Sequence, residues 1–171
     1  MANEAKTAII FRDLLRSANY YSDSDIIVEE QKSDNAKIDK LLKNASKRGN
    51  KNGLPDFIIF SKKYPDLIIV VEAKADINKH ISATLDNYAD YAVDGALLYA
   101  SFLSKEFDVI AIGISGEASG RFRVSHYLQL KEEKVAYPFF DDKILTIEEY
   151  FDGVQQSNYK FNQDYAKLIA Y

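Results

Sequence analysis

Three charged side chains sit where two short apolar runs end. Asp56 opens the run FIIF, Glu72 closes the run LIIVV with fifteen residues between the two carboxylates, and Lys74 follows two residues later. Ile- and Val-rich runs of four or five residues bounded by polar residues read as buried β-strands. The intervening SKKYPD contains Pro65-Asp66, which is turn chemistry, so the two runs predict an antiparallel hairpin. A turn centred near Tyr64 sets Phe57 opposite Val71, and hence Asp56 opposite Glu72. Period-two alternation puts Lys74 on the same side of the strand as Glu72. Asp66 is no substitute for Asp56, because six residues of extended strand separate it from Glu72 by about 20 Å.

Metal-assisted phosphodiester hydrolysis would use such a cluster. Two carboxylates can hold Mg²⁺ against a phosphate oxygen while a nearby ammonium orients, or helps deprotonate, the attacking water. The carbonyl of Ala73 could complete a metal set of Asp56, Glu72 and Ala73. A Glu-x-Lys pair alone is usually a solvated surface pair, and its weight here comes from Asp56, the hairpin register and the flanking strands.

Composition narrows the chemistry further. The chain has no cysteine and two histidines, which excludes disulfides and thiolate sites and leaves carboxylates as the plentiful ligands for a hard cation. His80 and His126 read as surface or structural residues, and the twelve tyrosines are spread along the chain as packing residues. A net charge of −4 argues against tight DNA binding by this chain alone, since phosphate affinity comes mainly from Lys and Arg. The stretch 32–51 is nevertheless basic, with Lys32, Lys37, Lys40, Lys43, Lys47, Arg48 and Lys51 against Asp34 and Asp39. No apolar run approaches the ~20 residues that span a bilayer. The N-terminus MANEAKTAII lacks a secretory pattern, and a cytoplasmic location follows as the expectation.

The elements that must position these residues follow from periodicity. Ile9, Ile10, Leu14, Leu15 and Ala18 predict a helix over 4–19, and Ile38, Leu41, Leu42 and Ala45 a second, ended by RGNKNG. Ile26 to Val28 is a short apolar run between them. Residues 79–105 predict one long helix, or two broken near Gly95. FDVIAIGISG and FRVSHYLQL supply two more strands. Thr146 and Glu149 form a capping box for a helix to about Val154, and the segment from Tyr159 reads as another. The order predicts an α/β fold, a mixed sheet of about four or five strands with helices on its faces.

The segments GLPDFIIF and IIVVEAK resemble the PD-(D/E)XK nucleases, especially the N-terminal cleavage domains of restriction enzymes fused to or partnered with adenine methyltransferases. The likeness runs from about Val28 to Glu117, through EEQKSDNAKIDKLLKNASKRG and YAVDGALLYASFLSKEFDVIAIGISGE. It implies a restriction-endonuclease-like core and Mg²⁺, replaceable by Mn²⁺, on Asp56 and Glu72, with Lys74 as the catalytic lysine. An upstream glutamate often joins such sites: Glu30 is the candidate, with Glu29 and Glu4 as rivals. Where the family often carries Gln-x-x-x-Tyr in the helix after the lysine, this chain has Asn87 and Tyr91, and Asn offers the same amide on a shorter arm. The resemblance further implies that residues 1–171 are one nuclease domain, core about 28–130, at the front of a larger restriction-modification protein. Methyltransferase, helicase or specificity domains would then supply most of the DNA affinity. The alternatives are a non-catalytic DNA-binding or scaffold module of the same fold, and a stand-alone repair or recombination nuclease.

Overall fold

The computed structural model describes residues 3–46 and 53–169, so Lys47, Arg48 and Lys51 of the basic stretch lie outside the described residues. The chain runs α1 (Glu4–Ser17), β1 (Ile26–Glu29), α2 (Ala36–Leu42), β2 (Phe57–Ser61), β3 (Tyr64–Lys74), α3 (Ala92–Leu103), β4 (Asp108–Ala118), β5 (Arg121–Gln129), β6 (Tyr137–Pro138) and α4 (Ile147–Ile169). The strands form one mixed sheet in chain order, antiparallel throughout except for β3 with β4. The architecture is the anticipated α/β one. Among the described residues it has six strands rather than four or five, because the run at Ile26 pairs with β2 as an edge strand and Tyr137–Pro138 adds a short strand to β5.

Alternation along the strands sends side chains into two cores. Phe57, Ile59, Ile69, Val71, Ile110 and Ile112 pack with Phe11 and Leu15 of α1 and Tyr150 and Val154 of α4. Ile58, Ile68, Val70, Val109 and Ala111 pack on the opposite face, against Ile38 and Leu42 of α2 and Ala96, Tyr99 and Leu103 of α3. Helices α1, α2 and α4 start at side-chain caps, whereas α3 starts at Tyr91 without one. Asn3 and Asn35 cap α1 and α2 by accepting from the amides of Ala5, and of Lys37 and Ile38. Thr146 and Glu149 form the reciprocal box foreseen for α4, each accepting from the other's amide. That helix then continues unbroken to Ile169, where two helices were anticipated.

Two expectations need correction. The β2–β3 turn lies at Lys62–Lys63, not Pro65–Asp66: Ser61 pairs with Tyr64, and Phe60 next pairs with Ile68. Pro65, Asp66 and Leu67 therefore form a bulge before the regular ladder, where proline's missing N–H is tolerated. The bulge restores the foreseen register, so Phe57 faces Val71. The second correction concerns 79–105, of which only Ala92–Leu103 is α-helix, with Gly95 inside it rather than at a break. Within residues 82–87, Ser82 Oγ accepts from the Leu85 amide, Thr84 donates to the Asp86 carboxylate, and Leu85 adopts φ 64, which ends any helical path there.

Close approach of α3 to the sheet is what makes this crossover compact. A Cβ on Gly113 of β4 would stand 2.6 Å from Val93 Cγ2 and 2.7 Å from the Val93 amide nitrogen, so only glycine lets the first turn of α3 lie on β4.

Candidate active site

Asp56 precedes β2, one step beyond the Phe57–Val71 pair, so the ladder direction brings it opposite Glu72. Asp56, Glu72 and Lys74 share the alternation phase of Ile58, Ile68 and Val70, which places all three on the α3 face of the sheet. Asp56 Oδ2 accepts from the Ala73 amide at 2.7 Å, and Oδ1 accepts from Gln31 Nε2 at 3.2 Å. The amide and carbonyl of one residue in an extended strand point to the same side, so the Ala73 carbonyl also faces the end of β2 beside Asp56.

Glu72 is 2 % exposed. Its side chain runs against α3 at Gly95, where an added Cβ would stand 3.0 Å from both Glu72 Cγ and Oε2. Glycine at this position leaves room for the carboxylate between sheet and helix. Lys74 lies at the rim, its side chain 16 % exposed. Its ammonium donates to the carbonyl of Ala89 at 2.9 Å, and Glu4 Oε1 of α1 lies 3.6 Å from it.

The upstream glutamates separate cleanly. Glu30 is bound by Arg12, whose guanidinium lies 5.8 Å from the centre of the Phe57 ring, on the α1 face of the sheet. The hydrogen bond from Arg12 holds the Glu30 carboxyl below its usual range. The structure therefore does not bring Glu30 to Asp56 and Glu72. Glu29 pairs with Ile58 and so points to their face, but it caps the turn before α2, accepting from the Ser33 hydroxyl at 2.5 Å and the Asp34 amide at 2.6 Å. Of the three candidates, Glu4 alone is beside Lys74.

Several neighbours carry no sequence signal of their own. Gln31, with φ 70, donates its amide to Pro55 O and its side chain to Asp56. Tyr99 of α3 is buried near Asp56, and its hydroxyl is pushed up to about 12, mainly by burial and further by the Asp56 charge. Asn87 and Tyr91 are not on a helix face, as the family pattern would have them. Asn87 is in a turn, and Tyr91 is the residue that starts α3, with Lys79 Nζ 5.1 Å from the centre of its ring.

The histidines are not surface residues but buried structural ones. His80 holds the crossover loop to the sheet through Ser115 Oγ at 2.7 Å and Ser125 Oγ at 2.8 Å. His126 bonds the Asp141 carbonyl and the Tyr150 hydroxyl, both at 2.6 Å.

Among the described residues, no three His, Asp or Glu side chains gather into a ready metal cluster. What the hairpin end offers instead is two carboxylates and a backbone carbonyl. Such an all-oxygen set fits Mg²⁺, which keeps several waters and needs only one or two protein carboxylates. In comparisons with known proteins, no family model, curated protein or solved structure matches the chain. Among the described residues, no helix is long and apolar enough to cross a membrane.

Proposed function

We propose that this chain is a Mg²⁺-dependent DNA endonuclease domain of the PD-(D/E)XK type that hydrolyses phosphodiester bonds. The observation that carries the reading is Asp56 opposed to Glu72 across the end of β2 and β3, with Lys74 on the same face. The resemblance of GLPDFIIF and IIVVEAK to that family adds to it. Asp56, Glu72 and the Ala73 carbonyl would hold the ion, and Mn²⁺ would substitute. When bound, the ion supplies charge to stabilise the phosphate and a water acidified toward neutral pH. Glu72, fixed against α3, restricts where that charge can sit. Lys74 presents its ammonium from the rim, where it can meet a phosphate oxygen and orient the incoming water. Glu30 has no part in this site.

The acidic net charge of −4 suits a cleavage module that binds DNA weakly and without sequence preference. Affinity and specificity would come from methyltransferase, helicase or specificity domains of a larger restriction-modification protein.

Mg²⁺ or Mn²⁺ titration by calorimetry, run beside plasmid cleavage, tests the reading. Lys74→Ala should lose about 10²- to 10⁴-fold in rate, the contribution of a positioned proton-transfer group. It should keep its metal affinity, because a protonated lysine cannot ligate. Asp56→Ala should lose both. Wild-type cleavage by Lys74→Ala, or no metal binding by the wild type even with DNA present, would overturn the assignment.

A further inference from the structure

The loop joining β3 to α3 encloses a carboxylate that the hydrolytic chemistry does not use. Asp94, in the first turn of α3, is 0 % exposed. A buried carboxylate is strongly disfavoured unless hydrogen bonds satisfy its oxygens. Asp94 receives three, all from one loop. The Ser82 amide donates to Oδ1 at 3.1 Å, the Asn87 amide donates to Oδ2 at 2.9 Å, and the Ser82 hydroxyl donates to Oδ2 in a short contact. Bonds to an ionised acceptor are about twice as strong as neutral ones, so this carboxylate fixes the loop more firmly than an amide would.

The chain of contacts continues from Asn87 to the rim of the site. The Asn87 carbonyl accepts from the amides of Asp90 and Tyr91 at 3.4 and 3.3 Å, closing a turn around Tyr88 and Ala89. From that turn the Ala89 carbonyl accepts from the Lys74 ammonium. The other end of the loop is tied down separately, by His80 on Ser115 and Ser125 and by the amides of Ala92 and Val93 on the carbonyls of Lys79 and His80. With both ends anchored, the turn carrying Ala89 depends on Asp94 for its place.

We infer that Asp94 is a positioning residue for Lys74: by holding Ser82 and the Asn87 amide, it presents the Ala89 carbonyl that aims the ammonium. Its effect on rate rests on the nuclease reading above, whereas its effect on Lys74 does not.

The test uses the full chain with ¹³C-labelled lysine, the Lys74 Cε signal being assigned by its loss in Lys74→Arg. Asp94→Asn keeps the shape but turns an N–H₂ toward one of three donors. The Lys74 signal should move to the position of solvated lysines, and kcat for plasmid cleavage should fall about 10- to 100-fold with KM for DNA unchanged, as for a misplaced group of the reaction centre. Ser82→Ala keeps the carboxylate and the Asn87 bond, and should shift the same signal by less. A folded Asp94→Asn protein with an unmoved Lys74 signal, or with the wild-type kcat, overturns the proposal. If Asp94→Asn fails to fold, an unmoved signal in Ser82→Ala does so instead. Where the wild type cuts no DNA, a Lys74 signal that moves in Asp94→Asn supports the coupling of Asp94 to Lys74 and defeats the nuclease reading alone.

Discussion

Acidification from pH 7.5 to 5.5 should weaken the fold through its two histidines. Burial pushes His80 down to about 4, with the Arg123 charge acting in the same direction. His126 is also pushed down to about 4 by burial, against an opposing effect of the Asp141 carbonyl. The geometry explains why the neutral ring is favoured at His126. Nδ1–H donates to Asp141 O, leaving Nε2 to accept from Tyr150, whose hydroxyl oxygen in turn accepts from the Leu145 amide. A proton on Nε2 would face the hydrogen of Tyr150. Because the folded pKa lies below the unfolded value of about 6.5, the unfolded chain binds the proton first. The stability is fully present above about pH 6.5, is lost as the pH falls toward 4, and levels off below that. The linkage relation gives a loss of about 1.4 kcal/mol per histidine between pH 7.5 and 5.5, or nearly 3 kcal/mol for both. At a urea dependence of about 2 kcal/mol per molar, the unfolding midpoint should drop by roughly 1.4 M. The chain has twelve tyrosines and no tryptophan, so tyrosine emission and circular dichroism can follow the transition. His80→Gln should remove about half of the pH dependence. A midpoint that is flat over this range, or as steep in His80→Gln as in the wild type, would refute the reasoning.

Two further substitutions separate structural from chemical roles. Gly113→Ala forces a Cβ into the backbone of Val93, and should cost about 2 kcal/mol and lower the melting temperature by roughly 4 to 8 °C in a scanning calorimeter. Glu30→Ala removes an exposed ion pair with Arg12 on the far face of the sheet, so stability should fall by under about 1 kcal/mol and the plasmid-cleavage rate should match the wild type.

The centre of the sheet was legible because strand alternation is a strict geometric rule. Asp56, Glu72 and Lys74 could be placed on one face from their spacing alone, although the register arises from a tight turn plus a bulge. Pro65-Asp66 misled because proline suits a bulge as well as a turn, and sequence does not distinguish them. The segment 79–91 misled for a different reason. Ile81, Leu85, Tyr88 and Ala92 have helical spacing, but Asp94 collects the hydrogen bonds that would otherwise have allowed a helix, and its partners lie seven and twelve residues away. The upstream glutamates were undecidable for a similar reason. Glu29 and Glu30 are adjacent in sequence and face opposite sides of the sheet, and only the Arg12 contact on one side and the Ile58 pairing on the other tell them apart.

The parallel pairing of β3 with β4 bears on the order in which the molecule assembles. The hairpins β2–β3 and β4–β5 close over short connections and can form early, on their own. Joining them requires residues 75–107 to come together first, a long loop whose closure is entropically costly before any ladder bond rewards it. Until that happens Glu72 sits on an open strand without Gly95 behind it, and Lys74 has no Ala89 carbonyl to meet. Partly folded chains therefore carry all three charged residues yet lack the organised centre until the long-range pairing of β3 with β4 closes.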